Sequence, residues 1–249
     1  MTNPNHLTEI SNSEKKWKSF YIFGGVATII GLVGILLDVI IGNITGGNLA
    51  ELPQTAIDRF TQLQDNSLLG LYNLDLLNII IQIILIPAYF AIYAAHRKVN
   101  NAYASFEFII FLTGTIIFVA TNTALPMLEL SNKYSLATSE TQRSYYAAAG
   151  EAMLARGAHG SFGVFIGFVL PNIAGIIMSA VMLKGKVFSK TNSYLGIAGS
   201  SLILVYLILV TFLPTTKNFA TAIAMPGGLM AMAWMVLFAI RLFRLGRQN

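Results

Sequence analysis

The sequence predicts an all-α fold: a polytopic membrane bundle of six transmembrane helices with both termini cytoplasmic. Three observations carry that expectation. First, 55% of the 249 residues are hydrophobic and only 11% are charged, with a mean hydropathy of +0.65. A soluble domain carries about 25% charged residues, so roughly half of the usual solvating surface is missing. Second, the apolar residues gather into six stretches of about 20 residues, the length needed to cross about 30 Å of hydrocarbon at about 1.5 Å per residue. Third, lysine and arginine are sorted between the segments that separate these stretches. Cysteine is absent, which excludes disulfides, thiolate metal sites, iron–sulfur clusters and thiol nucleophiles.

The six spans run from Ser19 to Gly42, Leu69 to Ala95, Ser105 to Met127, Ser161 to Leu183, Tyr194 to Leu213 and Ala222 to Leu242. The first follows Lys15, Lys16 and Lys18 as a signal peptide would. Its apolar run is too long for one, contains Asp38 and lacks an Ala-x-Ala exit, so it reads as a retained span. The transmembrane domain occupies 19–245, between a polar cytoplasmic tail at 1–18, too short to fold alone, and a second cytoplasmic tail at 246–249.

Orientation follows from the short flanks, because lysine and arginine resist transfer across the membrane. Lys15, Lys16, Lys18, Arg97, Lys98, Lys184, Lys186, Lys190, Arg241, Arg244 and Arg247 fall on the side of the N-terminus, eleven of the sixteen basic residues. Arg59, Lys133, Arg143, Arg156 and Lys217 fall on the other. The net charge of +5 reflects this sorting, and no nucleic-acid partner is expected.

Two outer segments carry structure of their own. In 52–65, Leu52, Ala56, Ile57, Phe60 and Leu63 recur at helical spacing while Gln54, Asp58, Arg59, Gln62 and Asp65 face elsewhere. An interfacial helix and a lid packed on the helix ends fit that pattern equally. In 139–157, Ser139 and Gln142 form the spacing of a capping box ahead of an Ala-rich helix.

Chemistry-bearing motifs are sparse. No nucleotide-binding glycine signature occurs, and His6, His96 and His159 form no metal-ligand spacing, so neither cofactor nor metal is expected. His159-Gly160-Ser161-Phe162-Gly163 fails the Gly-x-Ser-x-Gly frame at its first glycine. No lysine lies within a span, which excludes a retinal Schiff base.

Polar residues inside the bilayer are costly unless they face protein or water, so they mark the candidate site. Asp75, Asn78 and Gln82 share a helix face at i, i+3 and i+7. Asp38 and Asp75 lie roughly 6 and 9 Å below the outer ends of the first two spans, at similar depth. Asn122 approaches that level from the third span, and Arg156 and His159 stand above the fourth. These seven residues define an expected outward-facing polar pocket. In one reading the carboxylates pair with Arg156 and the amides fix helix register. In the other they bind a cation or exchange protons. Glu107 reads as a solvated interfacial partner of His96, Arg97 and Lys98.

Gly163, Gly167, Pro171, Gly175 and Ser179 form a stripe of small or helix-breaking residues, with Gly163, Gly167 and Gly175 as helix-packing positions. Pro171 also offers to release a carbonyl toward a cavity. Pro226-Gly227-Gly228 reads as a broken start to the last span.

Tyr72-Asn73-Leu74-Asp75-Leu76-Leu77-Asn78, the Tyr134–Arg143 segment, Gly150-Glu151-Ala152-Met153-Leu154 and Met182-Leu183-Lys184 with Val187-Phe188-Ser189 follow in an order that resembles a prokaryotic multipass membrane family catalogued as a domain of unknown function, family four-three-eight-six. The likeness covers most of the chain after about residue 60. It implies a helical bundle in a prokaryotic inner membrane and transfers no ligand-binding residues.

The expected function is recognition or passage of a small polar or cationic solute through the outer pocket, with proton coupling through Asp38 or Asp75. The alternative is a non-catalytic membrane partner or sensor that docks another membrane protein, or a second copy of itself, through the small-residue face. A weaker third reading is an enzyme acting on lipid through His159 with Asp75 or Glu151. The expected location is the inner, or plasma, membrane, with the lipid bilayer as partner.

Overall fold

The computed structural model describes residues 4–45, 53–157 and 161–248, with the side chains of 4–16, Pro214 and Lys217 outside the description. The fold is all-α, with 91% of the described residues helical. Its helices are α1 (Pro4–Ile44), α2 (Ala56–Asp65), α3 (Ser67–Tyr72), α4 (Leu76–Thr121), α5 (Ala124–Leu136), α6 (Glu140–Gly157), α7 (Phe162–Gly185), α8 (Lys190–Phe212) and α9 (Lys217–Arg247). Five helical stretches are long and apolar enough to cross a membrane, by length and composition. They contain α1, α4, α7, α8 and α9.

A straight α4 of 46 residues would measure about 69 Å, twice the hydrocarbon thickness. It is not straight. Asn100 leaves the helical region at φ −154°, ψ 89°, and its side-chain oxygen accepts from the amide of Tyr103 at 3.3 Å, capping a second helical half. Tyr89 and Phe111, 22 positions apart, stack at 3.6 Å, whereas a continuous rod would separate them by about 33 Å. The element is therefore an antiparallel hairpin, 76–99 returning as 101–121.

The long helices pack in a closed ring: α1 on α4, α4 on α7, α7 on α8, α8 on α9 and α9 back on α1. Glycines allow the close approaches that hold helices together where water supplies no hydrophobic drive. Gly31 and Gly34 of α1 receive Leu85 and Ile81 of α4, and Gly199 of α8 lies against the backbone of α9 at Ala231. Tyr89, Phe111, Met178, Trp234 and Phe238 share the main core. Phe23, Ile30, Val33, Leu36 and Ile40 of α1 remain exposed, a stripe suited to lipid.

The small helices α2, α3, α5 and α6 form a cap over one end of the ring. Ala56, Phe60, Leu63, Leu74, Ala124, Met127 and Leu154 make its separate core. The opposite end carries Lys18, Arg97, Lys98, Lys186 and Arg241, and the two are called here the capped and basic ends.

Four expectations change. The segment 69–75 belongs to α3 and a loop, so the second apolar helix starts at Leu76. The backbone of residues 4–18, expected as a polar tail, continues α1. The expected break at Pro226-Gly227-Gly228 is absent: α9 runs through it from Lys217, because a proline removes only one helical hydrogen bond. Glu107, expected at a solvated interface, is fully buried, because the hairpin turns its helix face inward.

Candidate functional site

The capped end positions most of the predicted polar residues. Asp75 sits between α3 and α4 at φ 64°, in the left-handed region where a side chain other than Gly, Asn or Asp is strained. It therefore precedes the helix rather than sharing a face of it. Its carboxylate is 3% exposed, and Oδ1 accepts from the Asn78 amide at 3.1 Å.

Asp38 of α1 is half-buried, and its backbone carbonyl accepts from the Tyr72 hydroxyl at 2.9 Å. Burial, then the Asp38 carboxylate, push the Tyr72 phenol up to about 12, with Asp75 adding to the effect. Both acids thus flank one phenol, and Tyr206 of α8 also lies in the field of Asp75. Asp38 of α1 and Asp75 of the loop before α4 thus both act on the Tyr72 hydroxyl.

The cation set against Asp75 was not among the predicted pocket residues. Arg59 of α2 is 6% exposed. Burial lowers its proton affinity below the ordinary arginine value, and the Asp75 carboxylate opposes that shift. Sequence spacing contained the signal: Ala56, Arg59, Phe60 and Leu63, the buried residues of α2, follow i, i+3, i+4, i+7. Charge alone placed Arg59 on the wrong face.

The lid is clamped by polar contacts. Thr55 caps α2 by accepting from the Asp58 amide at 3.2 Å. Glu151 of α6 accepts from the Ala56 amide at 2.7 Å, satisfying an orphan donor of the first turn. Ser131 of α5 donates to the Phe60 carbonyl at 3.0 Å. Glu151 is thereby engaged in holding the lid, and His159 lies outside the described residues.

The remaining predicted residues brace the backbone. Asn122 donates to the Leu74 carbonyl at 2.7 Å and accepts from the Ala124 amide at 2.9 Å, tying the Asp75 loop to the α4–α5 junction. Arg156 donates to the Ala120 carbonyl at 2.8 Å. Gln82 is deeper, between α4 and α7, and donates to the Gly167 carbonyl at 3.1 Å. Outside the lid, Asp58, Thr61, Gln62, Asp65, Asn66 and Leu69 line a groove of about 450 Å³. Gln62 accepts from Arg59 at 3.4 Å, so the groove borders the Arg59 guanidinium, which lies in the field of Asp75.

No family model, curated protein or solved structure matches the chain.

The small-residue stripe is engaged within the chain. Gly163 meets Thr121, Gly167 meets Phe118 with a built Cβ only 2.6 Å from its Cβ, and Gly175 meets Ser200 at 2.7 Å. Two of these face the return half of α4 and one faces α8, so this edge is occupied by the protein's own helices. Among the described residues no three His, Asp or Glu converge as metal ligands. Glu107, by contrast, is a buried acid that the predicted site did not include. Neither of its oxygens has a hydrogen-bond partner among the described residues, and Tyr89 lies in its field.

Proposed function

We propose that the chain is a six-span membrane protein with cytoplasmic termini, in the inner membrane of a prokaryote, that recognises or passes a small polar or cationic solute at its capped end. The hairpin at Asn100 supports counting α4 twice, and the excess of lysine and arginine at the basic end supports the orientation.

One observation carries the functional part. A carboxylate, Asp75, is held 3% exposed on a left-handed residue beneath a lid whose buried Arg59 opposes its charge. A buried carboxylate and a buried cation within each other's field mark sites that have two states, because burying each charge costs stability that packing alone would not require. In the closed arrangement Arg59 takes the place of a cation. A cationic solute arriving through the groove at Asp58 and Asp65 replaces it when α2 lifts, and Asp38 supplies the second acid. Protonation of either acid couples the exchange to a proton gradient.

Reconstituted vesicles test this. Wild-type protein is expected to bind or move small cations, or to dissipate a proton gradient, with Asp75→Asn reducing the rate at least tenfold while retaining the fold. Equal behaviour of folded wild-type and Asp75→Asn protein across monovalent, divalent, organic-cation and proton assays would overturn the reading. Against the small-residue docking alternative stands the contact of Gly163, Gly167 and Gly175 with this chain's own helices.

A further inference from the structure

We propose that a cleft at the basic end binds a phosphate-bearing anion, either the headgroup of an anionic lipid or a free phosphate species. The cleft has a volume of about 580 Å³ and lies where the polar end of the α1 span, the turn of the α4 hairpin, the end of α7 and the end of α9 meet. Lys18, Arg97, Lys98, Lys186 and Arg241 line it, and none of the described lining residues is a carboxylate.

Charge sorting by topology explains why this end is basic but not why the charges converge. Lys184, Lys190, Arg244 and Arg247 belong to the same end and lie outside the lining. The five that converge come from four separate helices or their caps. Eight of the chain's eleven acids belong to the outer loops or the capped end, and Glu107 is buried inside the bundle. Only Glu9 and Glu14 precede the cleft in sequence, and they fall among the undescribed side chains. Lys98 has a partner of its own, and the other four cations, facing one cavity, repel unless a multivalent anion joins them.

Two of the cations are fixed in place. The Arg97 guanidinium lies 3.8 Å over the Trp17 ring, a cation–π contact that holds the head without consuming its donors. Arg241 donates through Nε to the Val187 carbonyl at 2.6 Å, using one of five donors. Guanidinium forks match phosphate oxygens in pairs, and lysines add point charge. Lys186 follows α7 at φ 53°, a place where glycine is the ordinary residue. A lysine kept there against strain points to use of its charge. Basic pockets between spanning helices are known to hold lipid phosphates, and the volume admits a phosphate together with its ester group.

The test uses the full chain in a zwitterionic detergent at low salt. The probes are short-chain phosphatidylglycerol, short-chain phosphatidylcholine and inorganic phosphate. Phosphatidylglycerol or phosphate is expected to bind, with affinity falling roughly tenfold in Arg97→Gln and in Lys186→Gly and unchanged in Lys190→Gln. Lys186→Gly relieves the left-handed strain, so it is expected to fold at least as well as wild type, which separates lost binding from lost structure. Preference for phosphatidylglycerol over phosphatidylcholine without competition by phosphate assigns a lipid headgroup. Competition by phosphate without lipid preference assigns a soluble ligand. Absence of binding by both anionic probes, or wild-type affinity in folded Arg97→Gln and Lys186→Gly, overturns the proposal.

Discussion

Gln82 donates its side-chain amide to the carbonyl oxygen of Gly167 at 3.1 Å, and that oxygen has no helical partner because the residue four positions on is Pro171. A proline lacks the N–H that would close the turn, and bilayer interiors offer no water in its place. The glutamine of one helix thereby repairs the proline of another. Gly114 faces Pro171 and Leu170 at 2.7 and 2.8 Å, giving the distorted turn room against the return half of α4.

Gln82→Leu is therefore expected to cost about 1 kcal/mol, and Pro171→Ala in the Gln82→Leu background to recover most of it by restoring the missing donor. Unfolding in mixed micelles reads both. A double variant no more stable than Gln82→Leu alone would show that the Gly167 carbonyl is satisfied in some other way.

The left-handed backbone at Asp75 gives a second expectation. Asp75→Ala should lose about 1–2 kcal/mol relative to Asp75→Gly, because a Cβ at φ 64° without a local polar contact is strained. Asp75→Asn should keep the fold, since asparagine tolerates that region. Thermal unfolding of the three variants orders them, and an Ala variant as stable as Gly would contradict the conformational argument.

Arg59 and Asp75 should be energetically coupled. Removing the guanidinium in Arg59→Leu leaves a buried carboxylate without its opposing charge, at a cost of about 1–3 kcal/mol. Adding Asp75→Asn should lessen that loss, a coupling readable from a double-mutant cycle. Additive losses would mean that the two charges do not sense each other.

Tyr72 supplies a pH dependence. Its phenol is pushed up to about 12 from an ordinary value of 10.0. A raised folded-state value favours the protonated form in the fold, so this stability is complete below pH 10 and is lost as pH rises toward 12. Tyr72→Phe should flatten that part of the alkaline unfolding profile relative to wild type while lowering stability near neutrality. Parallel profiles between pH 10 and 12 would remove Tyr72 as the cause.

The absence of cysteine makes the span count directly measurable. Single cysteines replacing Asn101 and Lys190 should react with an impermeant maleimide from the cytoplasmic side, and those replacing Thr61 and Ser139 from the opposite side. Labelling of Asn101→Cys and Ser139→Cys from the same side would refute the proposed hairpin topology.

The all-α class and the long apolar helices were legible because hydrocarbon length and backbone hydrogen bonding restrict what twenty apolar residues can do. Segment ends were less legible. Asp75 to Asn78 looks like uninterrupted helix in sequence, and only the fold shows the carboxylate ahead of it on a left-handed residue. The acids Asp38 and Asp75 were found from depth alone, whereas Arg59 was assigned by its charge to the outer face although its spacing matched the buried one. Gly163 and Gly167 were recognised as packing positions, but no pattern within α7 names the helix that fills them.

Composition and periodicity thus determined that this chain is a bundle of long apolar helices. Those properties are local and summed along the chain. Tertiary structure alone decided that the α4 hairpin buries Glu107, that Arg59 is buried within the field of Asp75, and that five cations from four helices or their caps share one cleft. Each depends on which distant segments meet, and a charge's partner is set by distance in space rather than by position in sequence.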